Sequence, residues 1–392
     1  MQFVQQKLAT FAQKGPLKIS TLVISDIDNF TAMKAFWDRQ MRDHVYGPFL
    51  SSSMLVEFWK FCQKIGEAPL FVIFLSDEGI IGFAPLRMKS RFGFRQILSI
   101  DQYAPPVILQ ESYRDLCIDT TINYLFNNLN CESVQITFED NAANLRMLEK
   151  ICRKRKLKHT FSPQEGQAII PIDTSLESFR NSLDKKVKKE FQRIGRRLDS
   201  MGSWKISCSP VDQIALDKIW AIEKYSWKAN LEGKEKAIKD LGLECILGGV
   251  QNDNENEPYF DSEVWFLDLN NSPIAYVLVL KRKKTVFFVK TSYDSRFKKV
   301  APGRFLLNDL IERVFRENAA ESIDFISNLS FVRIWNPLVK KRLTVDMSRS
   351  TYVLRSQHIV FNNRISRMSL QLFEQLRWKK NPLNRLFHRL EK

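Results

Sequence analysis

The stretch TVFFVKTSYDSRFKKVAPGRFLLNDLIERVFRE, residues 285–317, decides the fold. Its first part, Thr285–Lys290, is a run of apolar and β-branched residues that predicts a strand. From Gly303 to Glu317 the apolar residues recur at three- and four-residue spacing, which predicts an amphipathic helix. A short basic loop that ends in Pro302-Gly303 joins the two. The segment therefore predicts a strand, a basic loop and a helix in immediate succession.

This loop has the features of a phosphate-binding site. A helix N-terminus presents backbone N–H groups and the equivalent of about half a positive charge, and both favour an anion. Gly303 permits close approach because it has no side chain, and Lys298, Lys299 and Arg304 add formal charge. The ligand that this arrangement predicts carries a pyrophosphate, as coenzyme A does. The alternative is an ordinary strand-to-helix loop with a solvated basic rim.

Outward from this segment, a similar order of elements occurs twice. The first half predicts a helix at 51–63, strands at 70–75, 80–88 and 96–100, helices near 111–128 and 141–156, and a strand at 133–138 between those helices. The second half predicts a strand at 168–172, helices near 176–200 and 212–230, strands at 263–269, 274–282 and 285–290, the helix 303–317 and a strand at 322–326. The repetition indicates an internal duplication of an α+β unit.

The segment Thr160–Gly166 (TFSPQEG) is polar, contains Pro and Gly, and is interpreted as the junction between the two units. We therefore expect an N-terminal domain at 1–165, a C-terminal domain at 166–356 and a basic amphipathic tail at 357–392. The first domain has no equivalent phosphate loop, so we expect it to be structural or to line the acceptor cleft. The tail either packs on its own domain or lies at a membrane surface.

Composition limits the function further. The 392 residues carry a formal net charge of +16, which favours an anionic partner such as nucleic acid, an acidic membrane or a phosphorylated ligand, or is simply a basic soluble surface. The six Cys and four His do not have the spacing of a metal site, so no metal is expected. The sequence pattern predicts neither a signal peptide nor a membrane-spanning helix. We expect a cytoplasmic protein, with peripheral contact at the inner face of the membrane left open.

Several segments resemble a known superfamily. The run Lys298-Lys299-Val300-Ala301-Pro302-Gly303 resembles the pyrophosphate loop Arg/Gln-x-x-Gly-x-Gly/Ala of GNAT acyltransferases, with Ala301 in the place of the first Gly. The CelD/BcsL branch, which is similar to the FemAB peptidyltransferases, is resembled more closely. The segments that carry this resemblance are SLDKKVKKEFQRIGRRLDSMG (182–202), LDKIWAIEKYSWK (216–228), KTSYD (290–294) and FVRIW (331–335).

The resemblance implies both a fold and an activity. The fold class is α+β, with tandem duplicated GNAT-like domains, each a mixed and mostly antiparallel sheet flanked by helices. The activity is an N-acyltransferase, in which an acyl-CoA, either acetyl-CoA or a longer one, supplies the acyl group to an amine acceptor. The acceptor implied is an amino sugar or another small amine, in cell-envelope or polysaccharide biosynthesis.

Acyl transfer to an amine needs a base, oxyanion donors and an acid for the leaving thiolate. Backbone N–H groups near Thr291 and Ser292 are candidate oxyanion donors. Asp294 is a candidate base and Tyr293 a candidate acid, although an Asp after a strand is usually a turn or cap residue. Asp324 in the strand SIDFI is a second catalytic candidate, with a structural hydrogen-bonding role as the alternative.

Five further residues are predicted to bind substrate. Lys290 is suited to pair with a phosphate or with Asp294, and the others are candidates for the acceptor site, or for the core in the case of the tryptophans: Trp227, Lys228, Arg333 and Trp335. The basic helix 183–201 has an apolar stripe and a cationic remainder, which is either a solvated face or a surface for an anionic acceptor, a membrane or tRNA.

Two other functions remain open from the sequence alone. A FemAB-like transferase would use aminoacyl-tRNA in place of acyl-CoA, and the charge of +16 suits phosphate contacts. A non-catalytic protein that binds nucleic acid or an anionic membrane is the third hypothesis. Base-stacking aromatic residues are not interleaved with the basic residues of helix 183–201, which disfavours that hypothesis.

Overall fold

A computed structural model describes residues 9–10, 19–42, 47–76, 79–91, 94–100, 106–227, 233–253 and 258–354. Within these ranges fourteen strands lie in one sheet. The strands are β1 (Ala9–Thr10), β2 (Ser20–Ile24), β3 (Ala68–Ser76), β4 (Gly79–Arg91), β5 (Phe94–Ser99), β6 (Val107–Ile108), β7 (Ser133–Glu139), β8 (Lys158–Pro171), β9 (Trp204–Ser209), β10 (Asp261–Leu269), β11 (Ser272–Arg282), β12 (Thr285–Tyr293), β13 (Ser322–Asp324) and β14 (Leu338–Ser348).

Helices cover both faces of this sheet. They are α1 (Ile27–Thr31), α2 (Lys34–Arg42), α3 (Ser52–Lys64), α4 (Arg114–Asn127), α5 (Ala142–Lys154), α6 (Leu176–Ser182), α7 (Lys185–Met201), α8 (Gln213–Glu223), α9 (Gly233–Gln251) and α10 (Pro302–Glu317). Short 3-10 turns occur at Pro48–Leu50, Glu111–Tyr113, Ser295–Val300 and Ser330–Trp335. Most of the helices and strands expected from periodicity are present.

The two halves repeat the same unit. The sheet order is β1-β2-β3-β4-β5-β7-β14-β8-β13-β12-β11-β10-β9, and β5/β7 and β12/β13 are its parallel pairs. Gln96 pairs with Ser133 and Thr285 pairs with Ser322, the same separation of 37 residues in each half. Each parallel pair is joined through one helix, α4 or α10. The predicted fold, tandem GNAT-like units with a mixed and mostly antiparallel sheet, is confirmed.

Strand β14 joins the halves into one sheet. It pairs antiparallel with β7 from Arg342 to Ser348 and with β8 on its other side from Leu338 to Ser348. The Asp346 carboxylate accepts a hydrogen bond of 2.7 Å from the Gln135 amide, across 211 residues of sequence. The backbone groups of β14 are thus satisfied by both halves.

The apolar core also crosses between the halves. One core cluster combines the first half with Val345 and Met347 of β14, and another lies within the second half. A third contains buried residues of both halves, including Trp59, Phe71, Ile219 and Tyr276. Helix α3 packs on α9 in this shared core. The buried Arg282 guanidinium extends from β11 to the backbone oxygen of Met41, at 2.8 Å.

The prediction that residues 160–166 form a loop between the two units is wrong. Residues Thr160–Gly166 lie inside the single strand β8, which runs from Lys158 to Pro171. Between Lys158 and Gln164 this strand pairs with β14 on one side, and β13 joins its other side only at 169–171. Pro163 therefore lies in an edge segment, where its missing N–H costs little. The helical region near 176–200 is two helices, because Asp184 caps the start of α7.

Three other expectations have a limited outcome. The tail predicted at 357–392 and the loop residues 101–105 lie outside the described residues. The strand predicted at 322–326 ends at Asp324. The boundary between the domains 1–165 and 166–356 stays a prediction, since β8 contributes to the sheet on both sides of it.

Close packing of α3 on α9 predicts a site-specific effect of volume. A Cβ at Gly249 would lie 2.4 Å from the Met54 sulfur and 3.1 Å from the Met54 Cα, whereas a Cβ at Gly242 meets nothing within 4 Å. We expect Gly249→Val to lower the free energy of unfolding by about 2 kcal/mol through overpacking. The matched Gly242→Val variant should change it by less than about 0.5 kcal/mol. Urea denaturation measures the free energy of unfolding of both variants, and equal changes would contradict the close packing of α3 on α9.

Candidate functional site

The sheet of the second half splits between β12 and β13. Strand β12 pairs with β11 along its length to Tyr293, but its pairing with β13 covers Thr285, Val286 and Phe287 only. In the described chain, residues 288–293 thus form a strand edge with no strand partner on the β13 side. Such an edge is able to bind an extended ligand through backbone hydrogen bonds.

The corresponding place in the first half is closed. Strand β5 pairs with β7 through Leu98, and the Thr137 N–H then donates a 3.2 Å hydrogen bond to the Ser99 hydroxyl across the divergence. The Ile100 N–H donates to the Pro85 oxygen at 3.0 Å. A side-chain hydrogen bond thus bridges the divergence of β5 and β7. The expectation that the first half has no phosphate loop stays a prediction, because residues 101–105 lie outside the described residues.

A β-bulge divides the predicted site residues between two faces. Leu278 pairs with Lys290 and Val279 pairs with Phe288, so Val289 is the extra residue and alternation shifts there. Thr291 and Tyr293 face α10, since the Cβ position of Gly303 is 3.9 Å from the Thr291 hydroxyl and 3.4 Å from the Tyr293 ring.

Lys290 and Ser292 lie on the other face of β12. Ser292 pairs with Tyr276, whose hydroxyl donates a 2.6 Å hydrogen bond to Glu223 of α8. The side chains of Thr291 and Ser292, whose backbone N–H groups the sequence made candidate oxyanion donors beside the bound cofactor, thus lie on opposite faces. Only Thr291 and Tyr293 share a face with Gly303.

Asp294 is a cap residue of the turn that follows β12. It is 3% exposed, and its carboxylate accepts the Arg296 N–H at 2.9 Å and an ion pair from the Arg296 guanidinium at 2.6 Å. The guanidinium also stacks 3.7 Å above the Tyr225 ring. The geometry fits the capping interpretation, because both oxygens are engaged in holding the turn.

The predicted phosphate loop is a 3-10 turn that leads directly into α10. Ala301 has φ of 43° and ψ of 52°, in the left-handed region, so it occupies a conformation that favours glycine. This gives a physical reason for a Gly at that position of the GNAT loop. The N–H groups of Arg304 and Phe305 donate to the Ala301 oxygen at 3.1 and 3.2 Å, so they are engaged within the chain in this form.

Positive charge surrounds this turn. Lys298 and Lys299 are exposed. Arg304 forms an ion pair with Glu190 of α7, and the Arg197 guanidinium of α7 donates to the Lys299 oxygen at 3.1 Å. The basic helix α7 therefore borders the turn, and its apolar stripe is buried through Ile194 and Leu198 as expected.

A cavity of about 340 Å³ lies between the two halves, where β12 and β13 begin to diverge. Its apolar wall includes Phe49 and Leu50 of the first half, and Phe287. Asp324 of β13 pairs with Phe287 and also lines the cavity. Residues two positions apart on neighbouring strands are roughly 8 Å apart, which places the Asp324 backbone at about that distance from the bulge.

Asp324 is the predicted site residue with the most perturbed carboxyl group. It is 4% exposed, and it accepts the Ile326 N–H at 2.6 Å and a hydrogen bond from the Gln167 amide. Burial raises its pKa to about 6, while these hydrogen bonds and the charges of Arg342 and Lys340 act in the opposite direction. A carboxyl group with such a pKa is suited to accept a proton near neutral pH.

The predicted acceptor residues are not brought together. Trp335 is 1% exposed, its indole N–H bonds to the Asn308 oxygen at 3.1 Å, and its ring stacks on Phe325. It belongs to the core, so its assignment to an acceptor site is wrong. Trp227 is 51% exposed and Arg333 is exposed in a separate turn. Lys228 lies outside the described residues.

Sequence reasoning missed the residues that surround Asp324. Gln167 donates to Asp324, and the Arg342 guanidinium donates to the Gln167 oxygen at 3.1 Å. Lys340 lines the same cavity. The available signal was the alternation of Leu343, Val345 and Met347 in LTVDMS, which is typical of a strand and leads straight from the basic run Lys340–Arg342.

Two negative observations apply to the described ranges alone. No cluster of three or more His, Cys, Asp or Glu side chains there has a metal-binding arrangement. None of the helices that the structure describes combines the length and apolarity required to cross a bilayer.

Comparison with protein families identifies the part of the chain that carries this site. Residues 185–328 match a family model described as an acetyltransferase (GNAT) domain. The match contains the basic helix α7, the split edge of β12, the basic turn and Asp324. No curated protein sequence matches the chain.

Solved structures with the same fold cover most of the chain at low identity. FemX has a TM-score of 0.54 and 10% identity, over 79% of this chain and 95% of that one. The C-terminal domain of a putative lysylphosphatidylglycerol synthetase from Agrobacterium fabrum has a TM-score of 0.52 and 11% identity, over 87% and 99%. A tandem GNAT protein from the clavulanic acid biosynthesis pathway has a TM-score of 0.50 and 8% identity, over 85% and 99%.

The left-handed conformation of Ala301 predicts a stabilising substitution. Ala301→Gly relieves roughly 1–2 kcal/mol of steric cost and loses roughly 0.5–1 kcal/mol of backbone entropy. We expect a net gain of about 0.5–1 kcal/mol in the free energy of unfolding, measured by urea denaturation. Ala301→Val at the same position should lower stability, and the reverse order of the two variants would contradict the assigned conformation.

The raised pKa of Asp324 predicts a pH-dependent stability. An acid whose pKa rises from 3.8 to about 6 on folding binds its proton more tightly when folded. The contribution of Asp324 to the free energy of unfolding is therefore fully present below about pH 4 and is lost as the pH rises through 6. Relative to Asp324→Asn, the wild type should lose on the order of 2–3 kcal/mol between about pH 4 and pH 7. Urea denaturation across this range tests it, and a constant difference would contradict it.

Proposed function

We propose that the chain takes an acyl group from an acyl-CoA and transfers it to a primary amine, because residues 185–328 match a family model described as an acetyltransferase (GNAT) domain. The observation that carries this proposal is the open edge of β12, which leads from the cavity to the basic turn. Catalysis by the domain sets aside the third hypothesis, a non-catalytic binding protein.

The donor fits the edge and the turn together. The pantetheine arm of coenzyme A contains two amide groups, which are able to pair with backbone groups of residues 288–293 as an added strand would. The pyrophosphate then lies at the turn before α10, close to Lys298, Lys299 and the helix N-terminus. Thr291 and Tyr293 face this same end, which supports their assignment beside the donor.

The acceptor reaches the thioester from the opposite face in this proposal. The amine nitrogen attacks the thioester carbonyl, a C–N bond forms, and the Asp324 carboxylate takes the amine proton directly or through one water. Backbone N–H groups beside the bulge at Val289 stabilise the oxyanion. The C–S bond then breaks, and the sulfur leaves as thiolate and is protonated to the free thiol. Tyr293 stays a candidate for that acid.

Asp324 is preferred to Asp294 as the base for a geometric reason. Asp294 is held in an ion pair with the Arg296 guanidinium, whereas the hydrogen bonds that Asp324 accepts come from uncharged donors. Asp324 lines a cavity next to the split and has a pKa raised to about 6 by burial. The amino-sugar acceptor and the cell-envelope role implied by the CelD/BcsL resemblance remain part of the proposal.

An aminoacyl-tRNA donor is the second candidate, because a basic helix borders the phosphate turn. Lys185, Lys186, Lys189, Arg193 and Arg196 of α7 are exposed, and Arg197 contacts the turn itself. A long polyanion would use this face, and its affinity would fall steeply with salt.

Calorimetry with acetyl-CoA and longer acyl-CoAs tests the donor. We expect micromolar binding, which Gly303→Glu abolishes by placing a carboxylate where the pyrophosphate lies. The double variant Lys298→Glu/Lys299→Glu should weaken acyl-CoA binding at least about tenfold, because it reverses two positive charges at the turn. Both side chains are exposed, so the fold should be kept. Lys205→Glu, a single charge reversal at an exposed lysine on the far edge strand β9, is the control for a loss of positive charge away from the turn.

The opposite result has a clear meaning. If the folded wild type does not bind any acyl-CoA at about 1 mM, the acyl-CoA donor is wrong. Filter binding of aminoacyl-tRNA at two salt concentrations then decides the second candidate. Loss of tRNA binding on charge reversal of Lys185, Lys186 and Lys189 would support it.

A further inference from the structure

The cavity next to Asp324 has a charged wall that the acyl-transfer chemistry does not require. Lys340 and Arg342 of β14 line it opposite the β12–β13 split, and Glu139 of β7 is the neighbouring acid. Three consecutive residues of β14 line the cavity: Lys340, Lys341 and Arg342. Lys340 and Arg342 line the same cavity as Asp324, and both positive charges favour the ionised form of its carboxyl group.

Gln167 keeps the cation and the acid apart. Its amide oxygen accepts from the Arg342 guanidinium and its amide nitrogen donates to Asp324. Two hydrogen bonds with an amide between them separate guanidinium and carboxylate by roughly 7 Å. The cavity therefore has an acidic end at the split and a cationic end at β14, about one hexose ring apart.

The local backbone is built to hold the cationic end in place. Between Lys340 and Arg342 the register of β8 against β14 shifts by a bulge. Gly166 is required there, because a Cβ would lie 2.8 Å from the Lys340 carbonyl oxygen. The Asp140 N–H donates to the Lys341 oxygen at 2.9 Å from the other side. Both neighbouring strands thus fix the segment that carries the two cations.

The size of the cavity restricts the ligand. A volume of about 340 Å³ is at the lower end of the roughly 300–1,000 Å³ of small-molecule sites. The wall of Phe49, Leu50 and Phe287 suits the apolar face of a ring. A small cyclic amine fits this space, whereas a polymer chain does not.

We propose that this cavity binds the acceptor, and that the acceptor is a small primary amine, of hexosamine size, that also carries an anionic group. Asp324 receives the amine end, and Lys340 and Arg342 bind the phosphate or carboxylate at the other end. The inference rests on the proposed acyl transfer for the role of Asp324. The binding of the anion by β14 does not depend on the identity of the acyl donor.

Three hexosamines that differ only at C6 test the anion. Glucosamine, glucosamine 6-phosphate and 2-amino-2-deoxyglucuronate are titrated by calorimetry into the full chain, with and without saturating CoA, at neutral pH. We expect at least one of the two anionic amines to bind about tenfold more tightly than glucosamine. The phosphate and carboxylate arms decide which anion is preferred.

Variants of β14 test the residues. Lys340→Gln removes an exposed side chain and Arg342→Gln removes the partner of Gln167. Each should abolish the preference for the anionic amine, measured as the ratio of its affinity to that of glucosamine in the same variant. Lys205→Gln on β9 is the charge-matched control and should keep the preference. Thermal unfolding verifies that each variant is folded. If Arg342→Gln does not fold, the result for Lys340→Gln alone tests whether β14 binds the anion.

The outcomes separate the two proposals. Equal binding of all three amines, or no binding of any at about 10 mM by a protein that does bind acetyl-CoA, overturns the anionic acceptor and leaves the donor intact. Binding of an anionic amine that Lys340→Gln weakens, in a protein that ignores acyl-CoA, supports the cavity assignment and overturns the donor.

Discussion

The double pairing of β14 is the constraint on which the rest of the structure depends. A strand in the middle of a sheet must satisfy its backbone groups on both sides, and β14 does so with β7 of the first half and with β8, the strand that passes from the first half into the second. The two units therefore share one sheet as well as one apolar core. The cavity beside Asp324 exists because both halves are held at this strand.

A split and a bulge within β12 turn this scaffold into a site. The split leaves one edge without a strand partner, and the bulge at Val289 sends Thr291 and Tyr293 to one face and Lys290 and Ser292 to the other. A donor along the edge and an acceptor in the cavity thus approach the same point from opposite faces of the sheet. The first half has the same parallel pair, but the Ser99–Thr137 hydrogen bond closes it.

The sequence predicted the tandem fold because its strands and helices have clear periodicity and the basic turn lies between a strand and a helix. It did not predict β8 correctly, because Pro163 and Gly166 are loop signals that an edge strand and a close backbone approach also explain. A one-residue bulge leaves no pattern in the sequence, so the face on which each of residues 290–293 lies could not be predicted. Trp335 was ambiguous because it follows the apolar Ile334 and precedes the polar Asn336, and a Trp in such a setting is compatible with both a core and a surface.

The position of β14 in the chain has a consequence for biosynthesis. Gln135 and Asp346 are 211 residues apart, and a ribosome adds about 5–20 residues per second. The edge of β7 that receives β14 is thus made roughly 10–40 s before its partner. During this interval a nascent first half presents an incomplete sheet, which is a template for pairing with other chains. Its solubility in the cell should depend on what shields that edge, such as a chaperone, until translation has passed Ser348.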